Sequence, residues 1–171
     1  MSPKHQIEEI RLPQTDAARG SDLSADNAIG AVEHIGFTVS DLDGSILFYT
    51  ALLGNGPFYE ATEGRPFLGD VVGYPSCRVR IAFFSLPNTP IFLELLEYLQ
   101  PTGRIVEMET RNTGIAHLCF LVTDLDSEFQ RITALGATLR SSGPVDRPDG
   151  GRATYFRDPD GITVEMQEAP K

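Results

Sequence analysis

The sequence predicts an α+β fold of two tandem βαβββ modules whose strands form a concave mixed sheet. Three observations carry this. First, His34-Ile35-Gly36-Phe37-Thr38-Val39-Ser40-Asp41-Leu42-Asp43 returns 83 residues later as His117-Leu118-Cys119-Phe120-Leu121-Val122-Thr123-Asp124-Leu125-Asp126. Second, each copy runs on into an apolar-periodic stretch that a glycine stops, Gly54 in one and Gly136 in the other. Third, each half ends on an apolar strand interrupted by a carboxylate, Glu94 in Ile91–Glu97 and Glu165 in Ile162–Glu168. A repeat of this size is one supersecondary unit used twice.

Residues 1–29 are polar and of mixed charge, and are expected to form a leader, either an arm or a disordered one. The first module is placed at 30–100: a strand over 32–39, a helix over 44–53, a strand near 66–73, and strands over 77–86 and 91–99. The helix follows from Asp41 as a cap, apolar residues at Ile46, Phe48–Tyr49 and Leu52–Leu53, and the Gly54 stop. Residues 101–113 form a bridge punctuated by Pro101 and Gly103. The second module, 114–171, repeats the order: a strand over 115–122, a helix over 126–135, a weak strand near 137–141, and strands over 152–157 and 162–167. Between the last two, Asp158-Pro159-Asp160-Gly161 is a turn.

Composition narrows the function. A net charge of −10 argues against nucleic-acid and anionic-membrane partners. Two cysteines inside apolar runs give no disulfide framework, which fits a cytoplasmic location. No apolar run approaches the length of a membrane span.

Strand alternation sorts the faces. Ile35, Phe37 and Val39 belong with the helices, which leaves His34, Gly36 and Thr38 on the concave side. Leu118, Phe120 and Val122 likewise leave His117, Cys119 and Leu121 there. Ile162, Val164 and Met166 face the helices, so Glu165 faces the concavity. Glu97 and Glu168 fall out of phase and are expected to be solvent or edge carboxylates. The chain has three histidines, and two of them open the two copies. A buried unpaired Glu on an apolar strand is costly, so two such residues beside two duplicated histidines point to metal binding.

Two βαβββ modules with His on the first strand and Glu on the last resemble the vicinal oxygen chelate superfamily. That group holds glyoxalase I, methylmalonyl-CoA epimerase, extradiol dioxygenases and drug-resistance proteins. The resemblance covers about residues 31–168. It implies one divalent metal ion (Ni, Co, Zn, Mn or Fe) held by His34, Glu94, His117 and Glu165, the ligand pattern of bacterial glyoxalase I. It implies a small-molecule substrate and a homodimer. The implied reaction is that of a lyase or isomerase on a small carbonyl compound, through proton abstraction by Glu165 and an enediolate. The alternatives are an extradiol dioxygenase, an acyl-CoA epimerase and a non-catalytic drug-binding protein. Glu94 counts against the first, because those enzymes use two His and one Glu. Epimerases more often carry Gln there. Four intact ligands count against pure sequestration.

A last pair comes from aligning Pro87 with Pro159, which makes Arg80 and Arg152 module equivalents. If Val79, Ile81 and Phe83 face the helices, both arginines face the concavity. There they would clamp an anionic substrate group.

Overall fold

The computed structural model describes residues 30–171, so the expected leader at 1–29 lies outside the described residues. The first sheet holds β1 (His34–Thr38), β2 (Tyr59–Glu63), β3 (Arg78–Ser85) and β4 (Phe92–Gln100) in the order β1-β4-β3-β2. The second holds β5 (His117–Val122), β6 (Thr138–Leu139), β7 (Val145–Asp146), β8 (Arg152–Arg157) and β9 (Thr163–Glu168). Its order is β5-β9-β8-β6, with β7 also on β8. In each sheet the first strand runs parallel to the last, β1 on β4 and β5 on β9, and the other pairs are antiparallel. Both sheets are therefore mixed, as the duplicated sequence requires.

The helices α1 (Leu42–Leu53) and α3 (Leu125–Ala134) sit where the repeat places them. The Asp41 carboxylate accepts from the backbone N–H of Asp43 and Gly44, and the Asp124 carboxylate accepts from that of Ser127. These bonds satisfy donors that an α-helix leaves open at its start. Gly54 and Gly136 take φ of 75° and 78° just past the two helices, a left-handed geometry that a side chain disfavours. Leu42, Phe48, Tyr49 and Leu52 pack with Ala82, Phe84, Leu93 and Leu95. Leu125 and Ile132 pack with Phe156, Val164 and Met166 in the same continuous core.

Several elements differ from expectation. The stretch near 66–73 is not a strand but a short helix, α2 (Pro66–Val72), closed by Gly73 at φ 77°. Pro66 opens it, where a fixed φ and a missing N–H cost nothing. The strand that pairs with β3 comes earlier, at Tyr59–Glu63. The weak strand expected over 137–141 shrinks to the two residues of β6.

The modules meet through their helix-bearing sides. Arg131 donates to the carbonyls of Ala51 and Leu52 at the end of α1, at 2.8 and 3.1 Å. Just before α1, Asp160 accepts from the Ser40 backbone N–H at 2.9 Å, and within the helix Tyr49 donates to the Asp158 carboxylate at 3.0 Å. The Asp-Pro-Asp-Gly turn is thus also a latch between modules. Asp158 is buried, and its burial pushes its pKa up to about 6.

Tyr49→Phe should lower stability by about 1.5–3 kcal/mol, the range for a hydrogen bond to a charged group, read from urea unfolding. The pH dependence has a definite sign. Between the ordinary Asp value near 4 and about 6, the folded state keeps a proton that the unfolded state has lost. This contribution is present at low pH and is lost as pH rises through about 6. Asp158→Asn should remove that slope relative to wild type.

Candidate metal centre

The concave face is built as alternation dictates. His34 and Gly36 stand opposite Phe92 and Glu94 on β4, and His117 and Cys119 stand opposite Thr163 and Glu165 on β9. His34 Nε2 lies 3.3 Å from Glu94 Oε2, and His117 Nε2 lies 3.1 Å from Glu165 Oε2. Adjacent donors about 2.1 Å from one ion are about 3 Å apart, so each pair has the spacing of neighbouring ligands. The imidazoles are 38% and 41% exposed and the carboxylates 14% and 10%. The carboxylates therefore form the floor and the imidazoles stand over it. An ideal Cβ on Gly36 would come within 3.1 Å of Glu94 Oε2, so the missing side chain leaves that carboxylate its place.

Each pair has its own supports. His34 Nδ1 is 3.0 Å from Glu33 Oε2. Glu94 faces Nε2 on the other side of the ring, so a carboxylate stands beside each ring nitrogen. In the second module Tyr155 Oη is 3.3 Å from His117 Nε2. Gln167 donates to Glu165 Oε1 at 2.6 Å and accepts from Arg147 at 2.5 Å. This chain holds one oxygen of Glu165 and leaves Oε2 beside the histidine. Burial raises the pKa of Glu94, opposed by the His34 charge. The Cys119 thiol is pushed up to about 11 by burial and by Glu165, so it stays protonated near neutral pH.

Glu33, Tyr155, Gln167 and Arg147 were not singled out from sequence. Alternation already put Gln167 on the face of Glu165. The Tyr155–His117 contact depends on the β8–β9 register, which sequence does not display.

The four ligand candidates are not brought together within one chain. Among the described residues no three His, Cys, Asp or Glu side chains lie close enough to share an ion. The two pairs are carried on separate sheets.

Arg80 and Arg152 are not on this face. Arg80 shares its side of β3 with the core residues Ala82 and Phe84, while Phe83 packs against His34 with ring centroids 6.2 Å apart. The expected phase was inverted, because β3 is apolar on both faces and hydrophobicity alone could not orient it. Arg80 instead bonds Asp43 and Glu97, at 2.5 and 3.1 Å. Arg152 bonds Asp126 and Glu168, at 2.8 and 2.5 Å. The module equivalence holds, but it describes two matched carboxylate–arginine–carboxylate triads on the helix side. Glu168 is correspondingly buried rather than solvent-facing, and its carboxylate also accepts from the Leu125 N–H that opens α3. Arg152→Leu should lower the unfolding midpoint by removing the main partner of Glu168, with metal content per chain unchanged. Metal loss at full stability would return Arg152 to the site.

The profile of the glyoxalase/bleomycin resistance protein/dioxygenase superfamily matches residues 31–166, which span both modules. The chain belongs to this superfamily. It is 30% identical to an ethylmalonyl-CoA/methylmalonyl-CoA epimerase of Cereibacter sphaeroides, over 82% of this chain and 98% of that protein. It is 29% identical to a 2-epi-5-epi-valiolone epimerase of an Actinomyces species, over 82% and 80%. Among solved structures it resembles a glyoxalase family protein of Bacillus cereus, with a TM-score of 0.78, 25% identity, and coverage of 87% of this chain and 100% of that one. The fosfomycin resistance protein FosX of Listeria monocytogenes, solved with Mn(II), shares the fold at a TM-score of 0.57 and 20% identity, over 82% and 93%. No helix among the described residues is long and apolar enough to cross a membrane.

Proposed function

We propose that the protein is a metal-dependent isomerase or lyase that removes the proton beside a carbonyl of a small molecule, and that its working unit is two chains. The observation that carries this is the pair of matched His–Glu sets, His34 with Glu94 and His117 with Glu165, each at ligand spacing. Two imidazoles and two carboxylates suit a divalent ion and neutralise its charge, with coordination positions left for substrate oxygens. One pair is half of that set, so a second copy would supply the other half. His34 and Glu94 of one chain would then meet His117 and Glu165 of the next.

The chemistry a divalent ion supplies in such a site is polarisation of a carbonyl oxygen, which acidifies the neighbouring C–H. The chain's own residues do the rest. Glu165 Oε2 takes the proton, with Oε1 held by Gln167, and Tyr155 stands beside it as a hydroxyl donor to a substrate oxygen. Glu94, from the other module, would serve the opposite side of the substrate. Such an arrangement suits exchange of a proton between two faces of one carbon, and the epimerase relatives favour this version. The glyoxalase-type ligand set keeps the lyase as the second version.

Elemental analysis of wild type and His117→Ala tests the site, and equal metal in the two would end the assignment. Incubation in D₂O with epimeric acyl-CoA thioesters or with hemithioacetals tests the reaction. Deuterium at the carbon beside the carbonyl is the expected result, and its absence from both substrate classes counts against proton abstraction.

A further inference from the structure

The two halves of the concave face match in fold and oppose each other in chemistry. The row through Glu94 runs Gly36, Glu94, Phe83, Tyr59, and the row through Glu165 runs Cys119, Glu165, Tyr155. Beside His34 stands Phe92, and beside His117 stands Thr163. One step along, Leu96 of the first module answers to Gln167 of the second. Phenylalanine faces tyrosine, phenylalanine faces threonine, and leucine faces glutamine. At these three positions the first half is apolar where the second is polar, while on the outer strands the order reverses and Thr38 answers to Leu121.

The aromatic half is a fixed cluster. Phe83 lies edge-on to His34 at 6.2 Å between ring centroids, 6.1 Å from Phe58, 6.3 Å from Phe92 and 5.6 Å from Tyr59. Phe58 and Phe92 are 5.1 Å apart. Phe58 stands at the rim, 41% exposed. The second module shows that this sheet surface folds with polar residues in the same places, so folding alone does not require the rings. Apolar walls with a few convergent polar groups are the usual lining of small-molecule sites.

We infer that this wall receives an apolar arm of the substrate. The ligand class is a small molecule with two neighbouring oxygens for the metal and a planar or hydrocarbon substituent beside them. The substituent lies on Phe58, Phe83 and Phe92, and the oxygen-bearing side turns toward Tyr155 and Gln167 of the opposing half. This rests on the metal-centre reading of the previous section.

Hydroxamic acids carry two neighbouring oxygens that chelate divalent ions, so they probe the wall without knowledge of the substrate. Acetohydroxamate and benzohydroxamate are titrated calorimetrically into Mn(II)-loaded protein, with their affinities for free Mn(II) as the reference. Benzohydroxamate is expected to bind about 10–100-fold tighter than acetohydroxamate beyond that reference. Phe58→Ala, a rim change, should remove most of the advantage at unchanged metal content and oligomeric state. Equal binding of the two by wild type, or an advantage that survives Phe58→Ala and Phe92→Leu alike, overturns the inference and leaves the metal centre standing. Loss of the oligomer in Phe58→Ala also overturns it, because the wall would then be an interface between copies. If neither hydroxamate binds and the protein retains no metal, the metal-centre reading falls and this inference falls with it.

Discussion

Glu165→Gln is expected to lose about 10²–10⁴-fold in turnover while the protein keeps its metal. Gln preserves an oxygen at the ligand position but cannot accept a proton, so the variant separates holding an ion from acting as a base. The geometry sharpens the expectation. Gln167 donates to Glu165 Oε1, which orients the carboxylate and leaves Oε2 at 3.1 Å from His117. A Gln at 165 with its carbonyl oxygen in the Oε2 position puts its amide at the Oε1 position, where Gln167 must turn its own carbonyl oxygen to accept from it. Metal content by elemental analysis and turnover in the D₂O exchange assay are the two readouts. Near wild-type turnover at normal metal content would move the base to Glu94, the module equivalent.

The second large effect comes from mixing inactive chains. His34→Ala and His117→Ala should each lose tight metal binding and activity as homodimers. If each site joins the first module of one chain to the second module of another, the mixed dimer has one site with both defects and one with none. After subunit exchange, about half the dimers are mixed and about a quarter of all sites are intact. Roughly a quarter of wild-type metal and activity should therefore return on mixing. A mixture as inactive as its components would mean that each chain closes its own site.

Arg80 and Arg152 lie on the helix side, opposite to the side strand alternation predicts. In β1, β5 and β9 one face is apolar and the other is not, so alternation assigned His34, His117 and Glu165 to their observed side. In β3, Val79, Ile81 and Phe83 are as apolar as Ala82 and Phe84, and no pattern distinguishes the faces. Hydrogen bonding to Asp43 and Glu97 decides it, with partners 37 and 17 residues away. Glu168 was misplaced for a related reason. A carboxylate at a strand end reads as solvent-facing until an arginine from the neighbouring strand and an open helix N–H are found beside it. The helix at Pro66–Val72 was missed because Val71-Val72 has strand character, while Pro66 and Gly73, which start and stop the helix, also fit a loop.

By itself the sequence determined the duplicated module, the capped helices and the two histidines with their two glutamates on one face. These follow from local chemistry and a period of two, which any extended strand obeys. Only the tertiary structure decided that the four ligand candidates form two separate His–Glu pairs and that the arginines serve the helix side. It also decided that the Asp158 turn latches one module to the other, and that an aromatic wall stands beside one His–Glu pair alone. Those features depend on register and on contacts between residues far apart in the chain, and neither leaves a periodic trace in the sequence.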